Sequence, residues 1–165
     1  ETVLDYCAGG GGKALALAAA MGGRGRILAH DAAPRRMADL PARAVRAGAP
    51  IEILAPGALG PIRGRCDLVY VDAPCSGSGA WRRDPGGKWR LTRAALEARR
   101  AEQARILAEA AACARRGGRI VYAVCSMLDA EADPPAPPGW RAARRLRLSP
   151  ADGADGFACV LFTMS

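Results

Sequence analysis

The sequence predicts an α/β fold built on a mostly parallel, doubly wound sheet. Short apolar runs alternate with helix-forming segments, and glycine-rich turns follow several of the apolar runs. Residues 67–72 (DLVYVD) are apolar on both faces, as a buried parallel strand should be. Because ligands of such sheets bind beyond the carboxyl ends of the strands, the strand exits are the places to search for a site.

The first half of the chain contains four predicted strands and two predicted helices. The strands cover residues 3–6, 27–29, 51–54 and 67–72. The helices cover residues 13–21 and 34–47. Pro34 in the first turn and Gly48 after the last are typical of the start and end of the second helix.

The second half contains one long predicted helix and three strands. Thr92 is a suitable N-cap for a helix that reaches Arg116, where Gly117 ends it. A fifth strand follows at residues 119–124, and a proline-rich loop covers residues 134–138. Two closing strands cover residues 141–148 and 157–163.

Length and composition predict one compact domain over residues 1–165. Half of the residues are apolar, which is enough to form a core. We find neither a membrane-spanning run nor a signal peptide, so we expect a soluble, cytoplasmic protein without membrane contacts. The chain begins directly on a predicted strand, which suggests that an upstream portion is missing.

The cysteines and the charge indicate reduced thiols and a polyanionic partner. Six widely spaced cysteines with no CxxC pair, beside a single histidine, favour free thiols and no metal site. The net charge is +8, and only two of the 24 basic residues are lysines. Arginine matches phosphate geometry, although genome composition is an alternative source of the arginines. Oligomeric state has no signal in the sequence.

The first two strand exits have features of a nucleotide-type cofactor site. Residues 5–13 (DYCAGGGGK) form a glycine-rich loop that lets the backbone approach a ligand closely. The sequence GKA departs from the GK[ST] of phosphate-binding loops, which disfavours a kinase-type NTPase. Asp31 at the second exit could accept ribose hydroxyls, with a helix cap as the alternative, and His30 is expected to be structural.

The third and fourth exits each contain a thiol. The segment DAPCSGSG at residues 72–79 begins with Asp72 and contains Cys75. Cys125 follows the fifth strand. Adjacent strands would bring the two thiols to one edge of the sheet. A buried apolar cysteine is the ordinary alternative for either one, but two thiols at exits with a nearby carboxylate favour a site.

The motifs DYCAGGGGK, DAPCSGSG and AVCSM resemble signature motifs of the Sun (NOL/NOP/Sun) family of RNA cytosine-5 methyltransferases. The resemblance extends through residues 81–92 to the tripeptide at 155–157. It implies the Rossmann-like fold of an S-adenosylmethionine-dependent methyltransferase and an RNA substrate, ribosomal RNA first and transfer RNA second. By this resemblance the chain is a catalytic domain that lacks the usual upstream RNA-binding portion.

The resemblance also implies a role for each motif residue. The methionine part of the cofactor would be cradled by Cys7, Ala8, Gly9, Gly10, Gly11, Gly12 and Lys13. Asp31 would hold the ribose, and Asp72 would lie between cofactor and base. Cys125 would add to C6 of cytosine and Cys75 would help to release the product, while Lys13 and Asp72 hydrogen-bond the base.

The chemistry of cytosine methylation independently requires such groups. C5 is a poor nucleophile until a thiolate adds at C6, and a second group must help to remove the C5 proton. The target base must also be unstacked. Candidates to hold the RNA around it are Trp81, Arg82, Arg83, Lys88, Trp89 and Arg90, whose alternative is a solvated loop with packing tryptophans.

Three differences from the family pattern are visible, and two other functions remain open. Gly10 replaces the usual proline, which should loosen the loop, and Ala55 replaces an acidic residue expected near the adenine. After Cys125 the chain reads DAEA at residues 129–132, where the family tends toward Pro-Glu-Glu-Asn. One alternative is a DNA cytosine-5 methyltransferase, in which Cys75 would be the nucleophile. The other is a non-catalytic Rossmann-like module that binds RNA, which Ala55 favours.

Overall fold

The computed structural model describes residues 1–55 and 57–165, which form seven strands and five α-helices. The strands are β1 (Thr2–Asp5), β2 (Arg26–Ala29), β3 (Ile51–Ile53), β4 (Cys66–Asp72), β5 (Ala114–Val124), β6 (Trp140–Leu148) and β7 (Phe157–Met164). The helices are α1 (Gly12–Ala20), α2 (Leu40–Arg46), α3 (Pro85–Arg90), α4 (Arg93–Ala111) and α5 (Asp129–Ala132).

The strands form one sheet in the order β3-β2-β1-β4-β5-β7-β6, so the predicted α/β class is confirmed. The chain divides into two compact units, Glu1–Asp72 with Ala110–Ile120 and Ala73–Glu109 with Val121–Ser165. Strand β5 contributes residues to both units.

The first unit contains the parallel part of the sheet. Strand β1 pairs in parallel with β2 and with β4, and β2 pairs in parallel with β3. Val3, Leu4, Leu28, Val69 and Val71 are fully or almost fully buried. Consecutive buried residues in β1 and β2 are expected where a parallel sheet is covered on both faces.

The second unit contains an antiparallel pair and the long helix. Strand β6 pairs antiparallel with β7, and the register shifts between Ala142 and Arg144 at a β-bulge. Helix α4 buries Gln103, Ile106 and Leu107, all of which lie near the face predicted from the sequence.

Two predicted helix boundaries are wrong, and prolines and strand pairing explain why. The helix predicted over residues 34–47 is divided into a 3-10 helix, Pro34–Met37, and α2. Pro41 lacks an N–H and fits only the first turn of a helix, so it separates the two. The helix predicted to reach Arg116 ends at Ala111, because the backbone N–H groups of Arg65 and Cys66 both bond to the Cys113 carbonyl and β5 begins directly after it.

Two short helices were absent from the sequence prediction. Helix α3 covers part of the basic tract, with Pro85 in its first turn. Helix α5 follows the exit of β5 and contains Glu131, which is completely buried. Both are shorter than two turns, so hydrophobic periodicity has too few residues to identify them.

Candidate active site

The glycine loop of the first unit connects β1 to α1 in a conformation that requires glycine. Gly9 and Gly11 have φ values of 51° and 79°. A Cβ on Gly11 would lie 2.1 Å from Cδ1 of Leu40 in α2, so any side chain there would collide. Arg43 of the same helix donates a hydrogen bond to the Gly10 carbonyl. Helix α2 therefore fixes the loop from outside, even though Gly10 replaces a proline.

Asp31 is buried beneath this loop, where its side chain is only 3% exposed. One oxygen accepts the Gly9 N–H at 2.9 Å and lies 3.3 Å from the Arg36 guanidinium. The other accepts the Ala33 N–H at 2.9 Å. Asp31 thus joins the glycine loop to the segment after β2, a structural role in addition to the ribose binding and the alternative helix cap considered from the sequence.

Asp5, at the end of β1, is a buried carboxylate. It is fully buried, and neither of its oxygens completes a hydrogen bond of ordinary geometry with the residues that the structure describes. Burial, followed by repulsion from Asp72, raises the pKa of Asp5 to about 7, although Lys13 acts in the opposite direction. The end of β1 thus holds a carboxyl group that is easily neutralised.

Three more predicted residues lie in the same unit. The Lys13 ammonium contacts the Asp72 carboxylate at 2.7 Å, so these two side chains form an ion pair. Burial and then the charge of Asp31 raise the pKa of Cys7 to about 12, so its thiol stays protonated at neutral pH. His30 is structural, since its Nδ1 lies 2.8 Å from the Tyr6 carbonyl oxygen.

The two predicted thiols of the second unit lie side by side. Sγ of Cys75 is 3.4 Å from Sγ of Cys125, within hydrogen-bonding distance for sulfur. Cys75 is half-buried and Cys125 is exposed. The hydrogen bond to Cys125, followed by burial, raises the pKa of Cys75 far above that of a free thiol. Cys75 therefore retains its proton, and Cys125 is the more accessible sulfur.

The segment that contains Cys75 is fixed by backbone contacts with its neighbours. Ala73 and Gly79 donate N–H hydrogen bonds to the carbonyls of Ala123 and Cys125. A Cβ on Gly79 would lie 1.9 Å from the Gly156 carbonyl oxygen, so the loop and the tripeptide at 155–157 pack backbone against backbone. This contact explains the glycine at each of the two positions.

The basic tract of residues 81–90 is partly neutralised by acidic side chains. Arg82 and Arg83 both pair with Asp155, at 3.3 and 2.9 Å. Arg90 pairs with a second carboxylate, that of Asp84. The ammonium of Lys88 lies 5.1 Å from the centre of the Trp89 ring, and Trp89 is 82% exposed. An exposed cation beside an exposed ring suits phosphate and base together.

Sequence reasoning missed the polar residues behind the thiols. Glu131 and Ser126 are buried, and Glu131 accepts hydrogen bonds from Ser76, Gln103 and Ser126. Ser76 and Ser126 each follow a thiol directly, which is the one signal that could have identified them. Nothing in the local sequence identifies Glu131 or Gln103 as their partners.

The described part of the chain contains neither a metal-binding cluster nor a membrane-spanning helix. No group of three or more His, Cys, Asp or Glu side chains there is placed to bind a metal ion. None of its helices combines the length and the apolar character needed to cross a bilayer.

Known proteins resemble this chain in sequence over most of its length. The family of 16S rRNA methyltransferases RsmB/F matches residues 1–136. A candidate methyltransferase of Mycobacterium tuberculosis is 43% identical over 126 residues, which are 74% of this chain and 27% of that protein. Ribosomal RNA small subunit methyltransferase B of Thermus thermophilus is 32% identical over 133 residues, which are 81% of this chain and 33% of that protein. The chain thus spans about a third or less of these relatives.

Solved structures share the fold. The structure of NSun6 from Pyrococcus horikoshii with SFG superposes with a TM-score of 0.84 over 99% of this chain and 47% of that chain, at 20% identity. A methyltransferase homologue from the same organism superposes with a TM-score of 0.79 over 100% of this chain and 62% of that chain, at 23% identity. The predicted Rossmann-like methyltransferase fold is therefore confirmed.

Proposed function

Because the chain belongs to the family of 16S rRNA methyltransferases RsmB/F, whose enzymes depend on S-adenosylmethionine, we propose that it methylates C5 of cytosine in ribosomal RNA. The observation that supports this reaction best is the pair of sulfur atoms 3.4 Å apart. One sulfur is exposed and the other keeps its proton, so the two suit different steps of an addition and elimination cycle.

Cys125 is the proposed nucleophile. Its exposed sulfur would add to C6 of cytosine, which makes C5 electron-rich enough to accept a methyl group. A thiol proton donated by Cys75 would stabilise the Cys125 thiolate before the addition. After methyl transfer the C5 proton passes to a water molecule, the electrons of its C–H bond restore the C5–C6 double bond, and the bond from Cys125 to C6 breaks to regenerate the thiolate. Cys75 is proposed to assist this release.

The residues of the glycine loop fit S-adenosylmethionine, which would supply the methyl group from its positively charged sulfonium. Gly9 and Gly11 leave the backbone free of side chains, so a ligand can approach it closely. Asp31 and Asp72 provide carboxylates that suit a cationic ligand. We assign cofactor binding to residues 7–13, Asp31 and Asp72, and assign contacts with the base to Lys13 and Asp72.

Separate substitution of the two thiols tests the mechanism. Cys125→Ala should abolish methyl transfer and form no covalent complex, because the addition is lost. Cys75→Ala should still add and methylate but release slowly, so protein bound to RNA should accumulate. The measurement is a retarded band on a denaturing gel that requires the cofactor and disappears with ribonuclease.

A DNA-type enzyme gives the opposite result in the same experiment. Its nucleophile would be Cys75, so activity would disappear with Cys75→Ala and the adduct would accumulate in Cys125→Ala. The high pKa of Cys75 weighs against this alternative. If neither substitution alters turnover, the covalent mechanism is wrong.

A non-catalytic RNA-binding module is the second candidate, and Ala55 supports it. Ala55 is exposed two residues after the end of β3, where the family resemblance leads us to expect an acidic side chain near the adenine. Calorimetry with S-adenosylmethionine separates the candidates, since a module without a cofactor site should give no heat of binding. Labelled cofactor with separate pools of ribosomal and transfer RNA then identifies the substrate.

A further inference from the structure

The carboxylate of Glu131 is the centre of a buried hydrogen-bond network behind the two thiols. Its side chain is fully buried in α5. Oε1 accepts the Ser76 N–H at 2.8 Å and the Gln103 side-chain amide at 3.0 Å. Oε2 accepts the hydroxyls of Ser76 and Ser126, the latter at 2.7 Å. All four donors are neutral groups.

These contacts join the two segments that contain the thiols. Ser76 directly follows Cys75, and Ser126 directly follows Cys125, so one carboxylate contacts the neighbour of each sulfur. The same Gln103 amide that contacts Glu131 also donates to the Pro74 carbonyl at 2.9 Å, on the other side of Cys75. Cys75 is therefore held from both sides.

A carboxylate without a cation among its partners is costly to bury, and an apolar side chain would fill such a position at lower cost. A carboxylate is the side chain that only accepts hydrogen bonds, so it can orient four donors at once. These requirements point to alignment of the two segments rather than to stability alone.

We propose that Glu131 is a positioning residue that holds Cys75 and Cys125 beside each other through Ser76 and Ser126. This rests on the proposed function, in which the two thiols act in succession on one base. The negative charge of Glu131 also contributes, after the larger effects of Cys125 and burial, to the raised pKa of Cys75. Glu131 acts on the two sulfurs through the serines that follow them.

The test measures how readily the thiols pair, without RNA or cofactor. The full chain is equilibrated with mixtures of reduced and oxidised glutathione, where one oxidised glutathione converts two thiols to a disulfide and yields two reduced glutathiones. Acid quenching, alkylation and peptide mass spectrometry then give the fraction of the Cys75–Cys125 disulfide. Glu131→Gln should lower this equilibrium constant about tenfold, because two of its acceptor positions become donors.

Matched variants separate positioning from general damage. Ser76→Ala should also lower the constant, and Ser76→Thr, which keeps the hydroxyl, should restore it. Glu109→Gln, at an ion-paired and exposed glutamate of α4, should leave it unchanged. If Glu131→Gln does not fold, its thermal melt will show this. The comparison of Ser76→Ala with Ser76→Thr then tests the positioning role.

The outcomes distinguish this inference from the proposed function. Unchanged constants in folded Glu131→Gln and Ser76→Ala overturn the positioning role, whatever the protein methylates. Lowered constants in a protein that methylates no RNA support the positioning role and contradict the proposed function. If the positioning role and the proposed function are both correct, Glu131→Gln should also lower kcat and leave the KM for S-adenosylmethionine unchanged.

Discussion

At the residue scale, burial and neighbouring charge decide which side chains can react. Cys7 and Cys125 both follow a strand exit in a signature motif, and only the family resemblance assigns them different roles. Burial and then three carboxylates raise the pKa of Cys7 and keep its thiol protonated, whereas Cys125 is exposed and lies beside Cys75. Position in a motif is therefore a weaker guide to nucleophilicity than electrostatic surroundings.

Asp31 should contribute to cofactor affinity. Asp31→Ala is expected to weaken binding of S-adenosylmethionine by about 1 to 3 kcal/mol, the cost of losing charge-assisted hydrogen bonds. Calorimetry measures the change, with Asp39→Ala at an exposed position as the control. Because Asp31 also accepts the Gly9 N–H, thermal unfolding without cofactor should show a separate loss of stability. An unchanged dissociation constant would leave Asp31 with its structural role alone.

Asp5 should make stability depend on pH. Its pKa is 3.8 as an ordinary side chain and about 7 in the folded protein, so the folded state binds the proton more tightly. The resulting stabilisation is complete below the unfolded value and is lost as the pH rises through the folded one. The side chain of Asp5→Asn stays neutral at every pH. The free energy of unfolding of this variant, relative to that of the parent protein, should therefore rise by about 2 to 4 kcal/mol from pH 4 to pH 8.

Urea unfolding at several pH values measures this effect of Asp5. Asp39→Asn, a matched substitution at an exposed position, serves as the control. Parallel stability curves for the parent protein and Asp5→Asn would show that the buried carboxyl group does not change its protonation in this range.

At the element scale, the glycine loop depends on the helix that packs against it. The sequence presents four consecutive glycines, but they are not equivalent in the structure. Gly11 is in the left-handed region and directly faces Leu40 of α2, whereas nothing lies within 4 Å of a Cβ on Gly12. The contact with α2 therefore assigns the tight turn to one glycine and leaves its neighbour replaceable.

Alanine substitutions at these two glycines should have opposite consequences. Gly11→Ala is expected to lower the free energy of unfolding by at least about 2 kcal/mol, from the collision with Leu40 and from backbone strain. Gly12→Ala, at the start of α1, should be neutral or stabilising by up to about 1 kcal/mol. Denaturant unfolding of the cofactor-free protein measures both. Equal effects would contradict the assigned loop geometry.

At the scale of the whole molecule, the net charge of +8 predicts attraction to RNA. Ion pairs redistribute that charge, since Arg82 and Arg83 share Asp155 and most arginines of α4 pair with glutamates of the same helix. Within residues 81–90, the positive charge of Lys88 lies beside the exposed ring of Trp89. RNA affinity should therefore depend on where the basic side chains lie as well as on the total charge.

Binding to RNA should weaken steeply with salt, because binding to phosphates releases counterions. Combined reversal of Arg82 and Arg83 to glutamate should weaken it across sequences and reduce the salt slope by about 1 for each phosphate that is no longer neutralised. Reversal of Arg93 and Arg105 in α4 changes the net charge equally and is the control. Salt-independent binding, or equal effects of the two pairs, would remove residues 81–90 from the interface.

Local sequence pattern was enough to predict the fold class, the order of the strands and the motif residues. Buried parallel strands are continuous apolar runs, and glycine or proline punctuates their ends, so local composition is informative there. For the same reason DYCAGGGGK, DAPCSGSG and AVCSM could be placed at strand exits. Boundaries that depend on pairing, such as the end of α4 at Ala111, were not available from local pattern.

Contacts between these residues, and the protonation states that follow from them, depend on the tertiary structure. Glu131 follows Ser76 by 55 residues, and a carboxylate in a short polar segment has no sequence signature that separates it from a solvated one. The raised pKa of Asp5 likewise requires the burial of the strand end and the charge of Asp72. Contacts between distant segments and the solvent they exclude are set by packing, and packing depends on the whole chain at once.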